Sequence, residues 1–270
     1  MAVDFAPAAA DYARYRVGFP ASFFDRLATF GAGLRGQAVI DLGTGTGDLA
    51  RAFARRGCRV IGIDRAPALL EQARALDRAA RVAIDYRLAT AEDTDLPGDS
   101  ADVVTAGQCW HWFDRPAAMR EAARLLRDDG RLVIAHFDWL PLAGNVVEAT
   151  ERIIKRHNWT WRRGGGNGMH PGWLRELGEA GYRDLASFSY DVEVPYTPEA
   201  WRGRVRASAG VAASLSTRRV RAVDRGVAAL LARDFPEPTL LIPHRVFAII
   251  GSRPAGAAMP VARRRWALGW

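Results

Sequence analysis

The 270-residue sequence has few of the features that mark secreted, membrane or disulfide-rich proteins. Its two cysteines, Cys58 and Cys109, are too few for a disulfide framework and fit no metal-ligand spacing. No apolar run approaches the length that spans a bilayer, and the N-terminus lacks the basic segment and apolar core of a secretory signal. We therefore expect a cytoplasmic protein that does not associate with a membrane.

Lysine is almost absent, since Lys155 is the one lysine among 38 basic residues. The formal net charge of +8 raises the question of a nucleic-acid partner. However, the arginines are spread along the chain, and a general bias toward arginine and alanine explains the charge as well as a binding surface would. We therefore do not expect nucleic acid as a partner. A composition of 49% hydrophobic and 25% charged residues is that of an ordinary globular protein.

Short apolar stretches alternate with amphipathic stretches of helical length. After a helix over about 11–30, the pattern predicts strands over about 38–41, 59–64, 82–88, 102–106 and 131–137, separated by helices. This alternation predicts an α/β fold with a mostly parallel sheet and helices on both faces. The later pattern predicts helices over about 144–157 and 170–180, a strand over 185–194, a helical segment over 198–235 and a seventh strand over 245–251.

These elements suggest a division of the chain. Residues 1–36 would form an N-terminal helical lid, and residues 37–253 the main domain, with the segment at about 198–235 as a helical insertion between the last two strands. Residues 254–270 are rich in Pro, Gly, Ala and Arg, and we expect them to form a disordered tail.

The most informative stretch is VIDLGTGTG, residues 39–47, where an apolar strand turns through three glycines into a helix. This order builds a ligand site at the carboxyl end of a parallel strand. A dinucleotide fingerprint needs its third glycine one place later, where Asp48 stands. Asp41 would repel a pyrophosphate but attract an amine. The turn therefore favours a zwitterionic, amine-bearing ligand, which argues against a nicotinamide-dependent reductase.

The same stretch resembles the first motif of the class I S-adenosylmethionine-dependent methyltransferases. The likeness covers residues 37–137 in order and spacing, and later motifs are resembled by residues 61–64, 89–97, 102–104 and 125–132. Residues 12–16 and 108–114 resemble a small-molecule subgroup related to trans-aconitate methyltransferase. The resemblance implies a Rossmann-like fold, S-adenosyl-L-methionine as cofactor and a small-molecule methyl acceptor.

The resemblance also implies which residues bind the cofactor. Asp41 would lie near the amine, directly or through water, and Asp64 would accept hydrogen bonds from both ribose hydroxyls. A helix cap for Asp64 and a merely solvent-exposed Glu92 are the plainer alternatives. The full implied set is Tyr15, Arg16, Asp41, Gly43, Thr44, Gly45, Gly47, Asp64, Arg65, Ala91, Glu92 and Gln108.

His111 is the candidate general base, needed only if the acceptor arrives protonated. It could instead only hydrogen-bond the substrate or a loop carbonyl. The candidate acceptor-binding residues are Tyr12, Trp110, Trp112, His136, Trp139 and His170, although tryptophans more often serve packing. The histidines and Asp138 show no metal-ligand spacing, so we expect no metal, although convergence in space stays open.

Three alternatives stay open at this point. An RNA or protein methyltransferase is disfavoured because the sequence shows no appended recognition domain. After the fourth strand it also has Gln108-Cys109-Trp110-His111 in place of the Asn/Asp-Pro-Pro-Tyr motif that is associated with exocyclic amine methylation. From another class of function, the chain could be a cofactor-binding protein without turnover that serves as a scaffold or regulatory partner. A homo-oligomer also stays open, because the sequence is silent on oligomeric state.

Overall fold

The computed structural model describes residues 14–15, 17–162, 164–212 and 214–255, which build a sheet of seven strands. The strands are β1 (Ala38–Leu42), β2 (Arg59–Asp64), β3 (Asp85–Leu88), β4 (Ala101–Gly107), β5 (Leu126–Trp139), β6 (Arg183–Tyr196) and β7 (Leu240–Ser252). The helices are α1 (Ala21–Thr29), α2 (Asp48–Arg55), α3 (Pro67–Ala80), α4 (Arg115–Leu125), α5 (Val146–His157), α6 (Gly172–Glu179), α7 (Pro198–Arg206) and α8 (Thr217–Asp234).

The sheet order is β3-β2-β1-β4-β5-β7-β6. Strands β1 to β5 pair in parallel, whereas β7 is antiparallel to both β5 and β6. This arrangement confirms the predicted Rossmann-like class with seven mostly parallel strands. Strands β5, β6 and β7 are longer than their apolar patterns predict, because antiparallel pairing on both edges of β7 continues past the apolar core.

Helices cover both faces of the sheet. Along β1, Val39 packs into one buried cluster with Phe53 of α2, and Ile40 packs into a second cluster with Leu125 of α4. Successive strand residues point to opposite faces, which explains this alternation. The helix after β1 and the helix after β4 therefore lie on opposite faces, although β1 and β4 are neighbours. Ligands of α/β sheets bind at such a switch point.

The first predicted helix is shorter than its pattern. Residues 17–20 are not helical, and α1 begins at Ala21. Pro20 has an extended ψ of 158°, and a proline disfavours helical geometry in the residue before it. Residues 1–13 and 256–270 lie outside the described residues, and so do the predictions for the beginning of the lid and for most of the tail.

The helical segment predicted at 198–235 is two helices, α7 and α8, with a break between them. Within the break, the Gly210 carbonyl accepts a hydrogen bond from Asn158 Nδ2 at 2.9 Å. A Cβ on Gly210 would lie 2.6 Å from the Trp161 ring, so close packing fixes this turn. Helix α8 packs against α5 and α7. Among the described residues, no helix is long and apolar enough to cross a membrane.

Candidate functional site

The turn after β1 has left-handed backbone at all three glycines, with φ of 65° at Gly43, 57° at Gly45 and 79° at Gly47. The surroundings of the three differ. A Cβ on Gly43 would lie 2.9 Å from Cys109 Sγ, and one on Gly47 would lie 2.1 Å from the Tyr86 hydroxyl. At Gly45 nothing lies within 4 Å of that position. Gly43 and Gly47 thus allow close packing of the protein itself, whereas Gly45 borders open space that a ligand can enter.

Asp41 lies at the end of β1 and is 1% exposed. Its Oδ1 accepts a hydrogen bond from the Thr105 hydroxyl of β4 at 2.6 Å. Burial raises the pKa of Asp41 to about 6, against the lowering effect of that hydrogen bond. A carboxylate this deeply buried is better placed to act on a ligand amine through an intervening group than by direct contact.

Asp64, at the end of β2, holds the glycine turn in place. Its Oδ2 accepts from the Gly45 N–H at 2.8 Å, and its Oδ1 accepts from the Ala66 N–H at 2.9 Å. Burial raises the pKa of Asp64, and these backbone hydrogen bonds oppose the rise. Each carboxylate oxygen can accept a second hydrogen bond, so the present contacts leave capacity for ligand hydroxyls. Thr44 is buried in the same turn, and its N–H donates to the Ile63 carbonyl at 2.9 Å.

The residues after β2 and β3 occupy the same edge. Arg65 is exposed beside Asp64, and Ala91 is buried in the second core cluster. Glu92 Oε1 accepts from the Asp114 N–H at 2.9 Å, which links the segment after β3 to the start of α4. Glu92 therefore makes a hydrogen bond within the protein, whereas the plainer alternative described it as merely exposed to solvent.

Gln108 directly follows β4 and has a left-handed φ of 65°, which is uncommon for a residue other than glycine. Its N–H donates to the Ala135 carbonyl at 2.8 Å, and its side-chain amide donates to the Phe137 carbonyl of β5. Strain of this kind clusters at functional sites when the surrounding contacts hold it in place. Gln108 lines the cavity described next.

A cavity of about 600 Å³ opens beside Gln108 at the carboxyl ends of β4 and β5. Six of the predicted residues line it, namely Gln108, His111, Trp112, His136, Trp139 and His170. Trp110 does not line it, because this ring is fully buried and packs edge-on against Phe113. Trp110 therefore serves packing, which was the plainer alternative for the tryptophans. Trp112, in contrast, is 40% exposed.

The candidates from the N-terminal lid are only partly described. Tyr12 and Arg16 lie outside the described residues. Tyr15 packs against α7, where a Cβ on Gly203 would lie 2.2 Å from its ring. The Arg206 guanidinium lies 6.0 Å from the centre of the Tyr15 ring.

The most polar wall of the cavity brings two histidines to one carboxylate. His136 Nδ1 and His170 Nε2 each lie 3.3 Å from Asp138 Oδ2. The His111 ring is 5.2 Å from the His136 ring, measured between centroids. Burial alone would raise the pKa of Asp138, but hydrogen bonds and charge from His136 and His170 outweigh it and hold that pKa well below its usual range.

Sequence reasoning missed three cavity residues that fix this wall. Trp173 stacks on His170, with centroids 4.2 Å apart and planes 4° apart. Glu151 Oε1 accepts from Trp139 Nε1 at 2.9 Å, and the Arg204 guanidinium lies 4.7 Å from the centre of the Trp139 ring. No local pattern could identify Glu151 or Arg204, because they come from α5 and α7. His136 and Asp138 carry a signal, since residues two apart on a strand share a face.

Comparison with known proteins is consistent with this geometry. Residues 40–134 match the family model described as a methyltransferase domain. An uncharacterized methyltransferase of Mycobacterium tuberculosis is 34% identical over 184 residues, which cover 68% of this chain and 61% of that protein. A ubiquinone biosynthesis O-methyltransferase of Pseudomonas aeruginosa is 38% identical over 115 residues, 42% of this chain and 49% of that protein. The chain thus spans less than two thirds of the length of these relatives.

Solved structures share the fold at lower identity. A phosphoethanolamine N-methyltransferase of Haemonchus contortus, solved in complex with S-adenosyl-L-methionine, superposes with a TM-score of 0.54 at 18% identity. The superposition covers 94% of this chain and 60% of that one. At this identity the likeness concerns the fold alone.

Proposed function

We propose that the chain is a class I S-adenosylmethionine-dependent methyltransferase that transfers a methyl group from S-adenosyl-L-methionine to a small-molecule acceptor, because residues 40–134 match a methyltransferase domain. One observation carries the proposal. The glycine turn follows β1, and the cavity opens beside Gln108 at the end of the neighbouring parallel strand β4, at the switch point of the sheet. A donor held on the turn would therefore face an acceptor held in the cavity.

The turn fits the cofactor in three respects. Gly45 borders open space where a side chain would otherwise stand. Asp64 keeps acceptor capacity for ribose hydroxyls while it holds the Gly45 N–H. Asp41 supplies a negative charge beneath the turn for the cofactor's amine, reached through an intervening group. Thr44, Arg65, Ala91 and Glu92 lie along the same edge and complete the proposed cofactor site.

Bound S-adenosyl-L-methionine supplies an electrophilic methyl group, so the chain's own task is to orient the acceptor and to exclude water. Trp112, Trp139 and Trp173 give the cavity apolar walls, and a volume of about 600 Å³ suits a small molecule. His111 stands at the cavity, where it would accept a proton from an acceptor that arrives protonated. The likeness to the trans-aconitate methyltransferase subgroup stays a prediction.

Calorimetry on the full chain tests the cofactor assignment. We expect S-adenosyl-L-methionine and S-adenosylhomocysteine to bind with one site each, and NADH to give no heat of binding. Binding of NADH with silence from both sulfur compounds would contradict the proposal.

A labelling experiment tests the acceptor class. The chain is incubated with methyl-labelled S-adenosyl-L-methionine and a cell extract, and small molecules are then separated from macromolecules by ultrafiltration. Label in the small-molecule fraction supports the proposal. Label in RNA or protein would favour the macromolecular alternative, and cofactor binding without any transfer would favour the scaffold.

A further inference from the structure

The cavity wall contains a set of side chains that the proposed methyl transfer leaves unexplained. His136 and Asp138 project from the same face at the end of β5, and His170 reaches them from the segment before α6. One ligand atom from each of the three lies within 4.8 Å of the other two. Two imidazoles and one carboxylate form a ligand set that transition metals accept in open coordination sites.

The distances suit a metal ion. A Zn²⁺ or similar ion lies about 2.0–2.2 Å from nitrogen and carboxylate ligands, so two ligands of one ion stand roughly 3.0–3.5 Å apart. Asp138 Oδ2 is 3.3 Å from His136 Nδ1 and 3.3 Å from His170 Nε2. The same two contacts are long for hydrogen bonds, which usually span about 2.7–3.2 Å.

The rings are also fixed before any ion arrives. His170 stacks on Trp173, and His136, which is 3% exposed, packs against the same indole with centroids 5.0 Å apart. Metal sites need ligands whose orientation is set by surrounding residues. Asp138 keeps 35% of its side chain exposed, so an ion can reach the set from the cavity.

We propose that His136, Asp138 and His170 bind one divalent transition-metal ion whose remaining coordination positions face the cavity. Three protein ligands leave room for water or for an oxygen of a bound molecule. If the chain methylates an acceptor here, the ion would hold that acceptor's oxygen, and this role rests on the proposed function. The binding of the ion does not rest on it, because its ligands lie outside the glycine turn.

The test uses the full chain, with any affinity tag removed and metal stripped by a chelator. Zn²⁺ and Co²⁺ are then titrated in turn without cofactor, and binding is followed by calorimetry and by the Co²⁺ absorption spectrum. The variants are Asp138→Asn and His170→Ala, with His157→Ala as the matched control at the end of α5, away from the cavity. Thermal unfolding of each stripped variant shows that it has folded.

We expect one equivalent of metal per wild-type chain and per His157→Ala chain. Asp138→Asn and His170→Ala should bind at least about tenfold more weakly, because the first replaces a charged ligand with a neutral amide and the second removes a ligand. Azide should shift the Co²⁺ spectrum of the wild type by taking an open position. Absence of metal binding, or equal binding by all four proteins, would overturn the proposal. S-adenosyl-L-methionine binding to the stripped chain is measured separately, so the two proposals fail independently.

Discussion

Asp64 Oδ2 accepts the Gly45 N–H at 2.8 Å, so the acid that ends β2 fixes the glycine turn that follows β1. The other oxygen of the same carboxylate holds the Ala66 N–H at the start of α3. A single side chain thus joins the glycine turn after β1 to the start of the helix after β2. Its structural role and its proposed ribose contact are therefore not exclusive alternatives, and substitution should affect both.

Replacement of Asp64 by alanine should lower both stability and cofactor affinity. Two backbone N–H groups lose their acceptor, which costs about 1–3 kcal/mol each in unfolding free energy when the groups stay buried. Loss of charge-assisted hydrogen bonds to the ribose should weaken cofactor binding by about 1.5–3 kcal/mol per bond. Denaturant unfolding and calorimetry measure the two effects. Asp85→Ala, at an exposed position on β3, is the control and should change neither.

A pair of glycine substitutions should separate ligand contact from backbone strain. Gly45 and Gly31 both have left-handed φ, 57° and 75°, and nothing within 4 Å of an added Cβ. Alanine at either position should therefore cost a similar amount, about 1 kcal/mol, in unfolding free energy. Only Gly45→Ala should also weaken S-adenosyl-L-methionine binding in calorimetry, because its methyl group would occupy ligand space. Equal affinities for the two variants would place the cofactor elsewhere.

Replacement of His111 by alanine should reduce turnover far more than cofactor affinity. General-base catalysis contributes about 10²–10⁴-fold, so a loss in kcat of at least about a hundredfold is expected in the methylation assay. Calorimetry should find S-adenosyl-L-methionine affinity nearly unchanged. His157→Ala again serves as the control. A kcat equal to the wild type would reduce His111 to a hydrogen-bonding or packing residue.

The parts of this fold that local chemistry determines could be predicted from the sequence. An apolar strand, three glycines and an amphipathic stretch predicted the β1–α2 turn, and repetition of that pattern predicted the parallel strands. The break after α7 could not be predicted, because it depends on Asn158 and the Trp161 ring meeting Gly210.

The cavity shows the same limit. His136 and His170 are far apart in the sequence and belong to different elements, so no spacing rule connects them. Asp138 joins them only when the segment before α6 folds across the end of β5. Conversely, the sequence made both tryptophans beside His111 candidates for binding the acceptor. The short 3-10 turn at Trp110–Trp112 directs Trp110 into the core and leaves Trp112 exposed.

The stability of the chain should depend on pH through Asp41. Burial raises the pKa of its carboxyl from the ordinary value of 3.8 to about 6. Because the pKa is higher in the folded chain than in the unfolded chain, protonation of Asp41 favours folding when the pH is below 3.8. This stabilisation is lost as the pH rises from about 4 to about 6. A difference of about 2 units corresponds to roughly 3 kcal/mol.

Asp41→Asn has no such titration, so its unfolding free energy relative to the wild type should increase by roughly 3 kcal/mol between about pH 4 and about pH 7. Denaturant unfolding at a series of pH values measures the difference. Thr105→Val provides a second check, because it removes the hydroxyl that donates to Asp41 Oδ1 and lowers its pKa. In that variant the loss should extend to higher pH. A difference between Asp41→Asn and wild type that stays constant across this pH range would show that the buried carboxyl titrates as it does in the unfolded chain.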